Sequence, residues 1–367
     1  MTNDERPLPV TCYLLPATCY LMTADCSLIT IILPIRNEAR YIERCLDAVL
    51  SQTYPRECLE ILIVDGMSDD GTREIVRGMI ARQGNLQSAI CNLQLLDNPD
   101  RIVPTALNLG IRAARGEIIV RVDGHCVIAA DYIARCIQAL HTVDADCVGG
   151  AIETIGETYT ARSIAFAQSS PFGVGGARFR YSNRAEYVDT LAFGAYRREV
   201  FDRIGLFDEE LVRNQDDEFN FRLTRAGGKI WLDPQIKSVY YSRGTLRGLW
   251  KQYFEYGFWK VRVMQKHGRP ASLRHLVPAL FVLALCAAFV GTLVTQQWIW
   301  FGLIALPYVL ASVTASLVTA ARRDWRTLPL LPLVFFVLHC AYGVGFLFGL
   351  VRWIFWGTTR NAVAKQT

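Results

Sequence analysis

Glu117-Ile118-Ile119-Val120-Arg121-Val122-Asp123-Gly124-His125 reads as a buried strand that stops at a carboxylate, a glycine and an imidazole. Asp123 and His125 offer the oxygen and nitrogen donors that Mn²⁺ or Mg²⁺ accepts alongside water, and Gly124 leaves room for a phosphate against the backbone. The ordinary reading is that Asp-Gly is a common turn and that a single His is a satisfied polar residue. The flanking sequence has to decide between them.

Toward the N-terminus the pattern of apolar run and amphipathic stretch repeats. Leu28 to Leu33 is a continuous apolar run ending at Pro34, and Glu38 to Ser51 has helical spacing with Ile42, Leu46, Val49 and Leu50 inward. A strand at Leu59 to Val64, a helix from about Thr72 to Arg82, a strand near Leu93 to Leu96 and a helix from Pro104 to Ala114 follow. This alternation predicts an α/β domain, a mostly parallel Rossmann-like sheet with helices on both faces. Such sheets bind ligands beyond the carboxyl ends of their strands. Three of those ends are polar: Pro34-Ile35-Arg36-Asn37-Glu38, Asp65-Gly66-Met67-Ser68-Asp69-Asp70-Gly71-Thr72 and Asp123-Gly124-His125. Asn37-Glu38 and Ser68 to Thr72 also suit helix starts and turns, with Asp69 and Asp70 solvated. Asp65 stands at the mouth of the sheet, where a carboxylate can accept the imide N–H of a uracil.

Composition adds a second part to the molecule. The 367 residues are 51% hydrophobic, and the mean hydropathy of +0.20 is too apolar for an ordinary soluble protein. The excess is concentrated in Leu276 to Val294, Trp298 to Ala320 and Leu328 to Val351, each of about 19 to 24 nearly uncharged residues, the length of a bilayer span. Lys260, Arg262, Lys266, Arg269 and Arg274 precede the first, and Arg322, Arg323 and Arg326 separate the second from the third, which places both segments in the cytoplasm. Three spans send the C-terminus outside, whereas Arg352, Arg360 and Lys365 oppose that, so its side is left open. Pro329, Pro332, Gly343, Gly345 and Gly349 offer points where the third segment can bend or re-enter.

The net charge of +5 suits an anionic membrane surface, and with no RNA- or DNA-binding motif no nucleic-acid partner is expected. Cys45, Cys58, Cys91, Cys126, Cys136 and Cys147 sit among apolar or helical positions and read as reduced core residues. Cys12, Cys19 and Cys26 recur every seven residues, but Pro16 interrupts any helix there. Residues 1–26 lack the basic and apolar regions of a signal peptide and read as an N-terminal extension.

Ile31-Ile32-Leu33-Pro34-Ile35-Arg36-Asn37-Glu38, Val64-Asp65-Gly66-Met67-Ser68-Asp69-Asp70-Gly71-Thr72 and Val122-Asp123-Gly124-His125, in that order, resemble the family 2 glycosyltransferases of GT-A fold. The likeness continues through Phe193-Gly194-Ala195-Tyr196-Arg197-Arg198, Gly205-Leu206-Phe207-Asp208-Glu209 and Asn214-Gln215-Asp216-Asp217-Glu218-Phe219-Asn220-Phe221-Arg222, over roughly residues 28 to 245. The Asp-Gly-His ending and the three apolar segments are most similar to succinoglycan-type exopolysaccharide glucosyltransferases. The resemblance implies a UDP-sugar donor, with Pro34, Asn37, Glu38, Asp65, Ser68, Arg101, Asp123 and Gly124 around the nucleotide-sugar. It further implies Mn²⁺ or Mg²⁺ on Asp123 and His125, the latter in place of a second aspartate. Asp216 is then the general base, Asp217 the second choice and helix capping the ordinary alternative; Gly194 and Gln252 fall on the acceptor side.

Two departures matter. Leu107-Asn108 replaces an Arg-Asn pair, with Arg101 a substitute, and Gln252 is retained without the rest of the Gln-x-x-Arg-Trp pattern of processive synthases, which favours addition of one sugar. Residues 245–274 are expected to form an interfacial amphipathic helix between the catalytic domain (27–244) and a membrane domain (275–356), with 357–367 as a tail. An ordinary docking helix is the alternative. The implied activity is inverting transfer of a hexose, glucose by the nearest resemblance, from a UDP-sugar to a polyprenyl-diphosphate-linked saccharide at the inner membrane, alongside other polysaccharide assembly proteins. A polyprenyl-phosphate sugar transferase and a non-catalytic UDP-sugar sensor are the alternatives.

Overall fold

The computed structural model describes residues 26–84, 92–268 and 272–363. Most of the N-terminal extension, including Cys12 and Cys19, lies outside the described residues, as do Cys91, Arg269 and Lys365.

Strands β1 (Ile29–Ile35), β2 (Leu59–Asp65), β3 (Asn92–Asp97) and β4 (Ile118–Arg121) run parallel in the order β3-β2-β1-β4. Every residue of β1 and β2 is buried, which is why both are mostly apolar, and the polar Thr30 and Glu60 within them bond to each other across the strands. Helices α1 (Ile42–Leu50), α2 (Thr72–Gly84) and α3 (Val103–Ala113) connect them. Helix α1 starts four residues later than the spacing predicts, because the chain first makes a turn closed by Tyr41 N–H on Glu38 O (2.8 Å). Alternation along β1 sends Ile31 and Leu33 to a core with Leu46, Val49 and Ile133, and Ile32 to the opposite core with Leu107, Ile111 and Phe219.

Beyond β4 the plan is mixed. The next elements are β5 (Cys126–Ile128), α4 (Tyr132–Thr142), β6 (Cys147–Gly149), β7 (Ile152–Ile155), α5 (Tyr159–Gln168), α6 (Pro171–Val174), β8 (Glu186–Val188) and β9 (Ala195–Arg197). Then come α7 (Glu199–Ile204), α8 (Gln215–Arg225), β10 (Ile230–Leu232) and β11 (Ser238–Tyr241). Strand β9 pairs antiparallel with both β4 and β6 in an eight-stranded sheet of order β3-β2-β1-β4-β9-β6-β10-β8, and β5-β11-β7 form a smaller sheet. Cys45, Cys126, Cys136 and Cys147 are buried free thiols as expected. Cys58 departs from that expectation, since the chain entering β1 brings Cys26 within disulfide reach of it, Cα to Cα 6.2 Å.

Helix α9 (Leu246–His267) leads to α10 (Val277–Thr295), α11 (Ile299–Arg322) and α12 (Leu331–Val363). Three helical segments, Leu273–Thr295, Ile299–Arg322 and Leu331–Trp353, are long and apolar enough to cross a membrane. Leu280, Leu283, Phe289, Val290, Leu303, Leu306 and Leu310 leave a wide apolar surface exposed on α10 and α11, as lipid-facing helices do. The aromatic face of α9 packs on α12, one of the apolar helices. Phe254 and Phe258 pack on Phe348, and Phe258 and Trp259 on Trp353, with ring centroids 5.6–6.2 Å apart. Arg262 holds Glu210 at 2.7 Å, Arg213 holds Glu255 at 2.9 Å, and Lys266 holds Asp208, so α9 is clamped to the catalytic domain. Nor does the third apolar segment break at its glycines. A Cβ on Gly257 would lie 2.0 Å from Tyr342 O, and one on Gly345 2.1 Å from Phe254 O, so these glycines let α9 and α12 touch backbone to backbone.

Candidate active site

Register brings the predicted strand ends to one edge, with Ile35 opposite Asp65 and Asp65 opposite Asp97. The loops after β1 and β2 are stapled together. Asn37 N–H donates to Ser68 Oγ (2.9 Å) and its Nδ2 to Asp69 Oδ1 (2.9 Å), while Glu38 N–H donates to Thr72 Oγ1 (2.8 Å). Asp69 and Asp70 are exposed, as expected, and also belong to the loop framework; Asp70 accepts from Ala39 N and Thr72.

These loops open on a cavity of about 1040 Å³ lined by Pro34, Asn37, Glu38, Arg101, Asp123, His125, Asp216, Asp217 and Gln252. Asp65, Ser68, Gly124 and Gly194, also expected at the site, do not line it. Asp65 is fully buried, and its oxygens accept from Ser68 and from Arg73 Nη1 (2.6 Å), so it organises the loop instead of presenting a free carboxylate edge to a base. Gly124 is packed against the loop after β1, since a Cβ there would meet Ile35 Cγ2 at 2.9 Å and Glu38 Cγ at 3.0 Å. Gly194 is packed against Cys147 and Tyr196, and its carbonyl accepts Arg121 N–H (3.1 Å). Asn108 works elsewhere too, holding Phe207 by paired 2.9 Å hydrogen bonds.

Arg121 is the residue that joins the two ends of the site. Its Nε and Nη2 donate to Asp123 Oδ1 (2.8 Å) and Oδ2 (3.1 Å), and its Nη1 points to Asp216 Oδ2 at 3.8 Å. Burial opposes the guanidinium charge, yet Asp123 and Asp216 outweigh it and raise the pKa above the ordinary arginine value. A charge in the middle of Ile-Ile-Val-Arg-Val was the sequence signal for this role.

His125 Nδ1–H donates to Glu38 Oε1 across 2.8 Å, and the ring meets Tyr240 edge-on at 4.9 Å. A histidine whose Nδ1 is held by a carboxylate presents Nε2 as a neutral lone pair, the arrangement that metal-ligating histidines use. Among the described residues no group of three His, Cys, Asp or Glu forms a complete metal site. Asp123 and His125 nevertheless fit an ion that takes its remaining ligands from diphosphate and water. On this geometry Glu38→Gln weakens Mn²⁺ affinity by about 10- to 100-fold, read by titration calorimetry in the presence of UDP; unchanged affinity removes Glu38 from the role.

Asp216 and Asp217 open α8 but have different surroundings. The N-cap position belongs to Asn214, in left-handed conformation with φ 61°. Among the described residues Asp216 accepts only Asp217 N–H (2.9 Å) beside its contact with Arg121. Burial raises its pKa, Arg121 pulls it down, and the neighbouring Asp217 and Asp123 charges push it up, with a net rise. Asp217 is ion-paired to the buried Lys260 of α9, and although burial works against its charge, Lys260 lowers its pKa. Asp217→Asn therefore strands a buried ammonium at a cost of about 3–5 kcal/mol. We expect a lower thermal midpoint and a smaller loss of kcat than for Asp216→Asn; a larger kcat loss with unchanged stability would make Asp217 the base.

The mixed α/β sheet with its acids at the strand ends has the GT-A architecture of glycosyltransferases. The chain belongs to glycosyl transferase family 2, whose model matches residues 30–205. It is 32% identical over 250 residues to the succinoglycan biosynthesis protein ExoA of Rhizobium meliloti, spanning 68% of this chain and 73% of that one. With a Methanococcus voltae dolichyl N-acetyl-alpha-D-glucosaminyl phosphate 3-beta-D-2,3-diacetamido-2,3-dideoxy-beta-D-glucuronosyltransferase it shares 28% identity over 329 residues, 88% of this chain and 97% of the relative. The mannosyltransferase PcManGT of Pyrobaculum calidifontis, solved with GDP-Man and Mn²⁺, superimposes with TM-score 0.59 at 21% identity, covering 86% of this chain and 87% of that one.

Proposed function

We propose that this enzyme transfers a hexose, glucose as first choice, from a UDP-sugar to a polyprenyl-diphosphate-linked saccharide, with inversion, during bacterial exopolysaccharide synthesis. The carrying observation is the continuity of one cavity. It holds Glu38, Asp123, His125 and Asp216 at the strand ends and extends to Val277 and Pro278 of α10 and Leu338, His339 and Tyr342 of α12. A saccharide carried by a membrane lipid reaches the base along that path. The archaeal relative is named for a dolichyl sugar phosphate acceptor, which favours a lipid that already bears sugar over the bare lipid phosphate. The catalytic domain then faces the cytoplasm of a multi-pass inner-membrane protein, in keeping with the basic flanks of α10 and α12.

In this reading Asp216 takes the proton of the acceptor hydroxyl as its oxygen bonds to C1, and the bond from C1 to the diphosphate breaks on the opposite face. Arg121 holds Asp123 and sets the distance between that carboxylate and the base. Asp123 and His125 hold Mn²⁺ or Mg²⁺, which when bound supplies neutralisation of the charge on the departing diphosphate. Pro34, Asn37, Glu38 and Arg101 flank the nucleotide, and Gln252 the acceptor. Reconstituting the full chain in lipid with radiolabelled UDP-glucose and polyprenyl-diphosphate saccharides tests the reading: label must move to the saccharide-bearing lipid, and a labelled bare polyprenyl phosphate would replace this acceptor.

A further inference from the structure

Most cations along the cavity wall are already held by carboxylates: Arg121 by Asp123, Lys260 by Asp217, Arg213 by Glu255 and Arg274 by Asp189. Arg180 and Arg243 line the same cavity, and among the described residues neither has an ion pair. The Arg180 guanidinium lies 5.4 Å from the Phe179 ring centroid and 5.9 Å from that of Tyr240, and its Nη1 is buried without a hydrogen-bond partner. An unsatisfied buried donor is costly, so a guanidinium kept that way inside a ligand cavity points to an acceptor supplied by the ligand.

Their place in the fold selects the ligand. Arg180 follows α6, whose Phe172 carbonyl accepts His339 Nε2–H of α12 at 2.8 Å, and Arg243 lies just before α9. Both therefore stand where the catalytic domain meets the helices that lead to the membrane. Arg36 and Arg101 line the cavity from the strand-end loops of β1 and β3, at the nucleotide end. The same cavity is lined by Val277 and Pro278 of α10 and by Leu338, His339 and Tyr342 of α12, so Arg180 and Arg243 share it with the apolar helices.

We propose that Arg180 and Arg243 bind the phosphate groups that join the acceptor saccharide to its lipid. Guanidinium forks match phosphate oxygens in pairs, and two of them suit a diphosphate. This assignment rests on the lipid-linked acceptor reading above.

Binding to the full chain in lipid nanodiscs tests it, with undecaprenyl diphosphate as one probe and UDP plus Mn²⁺ as the other. Arg180→Ala and Arg243→Ala should each weaken the lipid probe about tenfold or more, the value of a lost charge-assisted pair, and leave UDP affinity within about twofold. Arg180→Lys, which keeps the charge and loses the fork, should fall between wild type and alanine; it also serves if the alanine variant does not fold, and a lysine variant that binds both probes as wild type does overturns the assignment. Lipid affinity unchanged in both alanine variants also overturns it while the acceptor reading stands. Weakened UDP with unchanged lipid assigns the arginines to the donor diphosphate and overturns it as well. Wild-type protein that binds UDP but not the lipid probe removes the acceptor reading and this assignment together.

Discussion

Asp216→Asn is expected to lower kcat by about 10²- to 10⁴-fold, the contribution of a positioned general base, while UDP binding stays within about twofold. Asparagine keeps the size of the side chain and an oxygen that can accept Asp217 N–H, and it removes the charge and the capacity to take a proton. The contact at 3.8 Å from Arg121 Nη1 loses its charge but not its space, so α8 stays in place. The pH profile of the wild-type enzyme follows from the same surroundings. A base works only when deprotonated, and burial raises the pKa of Asp216. Activity should therefore fall on the acid side with a midpoint above the ordinary aspartate value of about 3.9. Asp217, lowered by Lys260, would put that limb below it. A limb that lies at or below the ordinary value, together with an active Asp216→Asn enzyme, would move the base elsewhere.

The second large effect is expected at Asp123. Asp123→Asn removes the only carboxylate that Arg121 holds through two hydrogen bonds, and it removes an anionic donor from the leaving-group side of the cavity. Loss of a group that stabilises transition-state charge costs about 10²- to 10³-fold in kcat. A further effect compounds it: Arg121 retains Asp216 as its remaining charge partner, so the guanidinium is drawn to the base and lowers its pKa. The combined signature is a fall in kcat, weaker Mn²⁺ binding and an acid limb displaced to lower pH, read in one set of steady-state profiles. If kcat drops without any movement of the limb, the link from Asp123 to Asp216 through Arg121 is absent.

The first half of the catalytic domain was legible because β1, β2 and β4 are buried on both faces. Runs such as Ile61-Leu62-Ile63-Val64 tolerate few other readings, and turn residues bound each of them. Parallel order then put Asn37, Glu38 and Asp123 on one edge without knowledge of a single contact. What the sequence withheld is set by long-range packing. Strands β5 to β9 have three or four residues each, too short for a period to emerge. Lys260 finds Asp217 across 43 positions, and Arg73 takes up Asp65 from a helix that begins after the loop it pins. Helix α9 shows the same limit. Its aromatic face is periodic whether lipid or α12 covers it, and only the glycines at 257 and 345, which admit a neighbouring backbone, distinguish the two.

The central claim is that one cavity carries a lipid-borne saccharide from the apolar helices to Asp216. Transfer of radiolabelled glucose from UDP-glucose, by the full chain in lipid vesicles, onto a synthetic polyprenyl-diphosphate saccharide measures it most directly. The account predicts labelled lipid product that requires the saccharide, requires a divalent cation and disappears with Asp216→Asn. Equal transfer to bare polyprenyl phosphate, or undiminished transfer by Asp216→Asn, would contradict it.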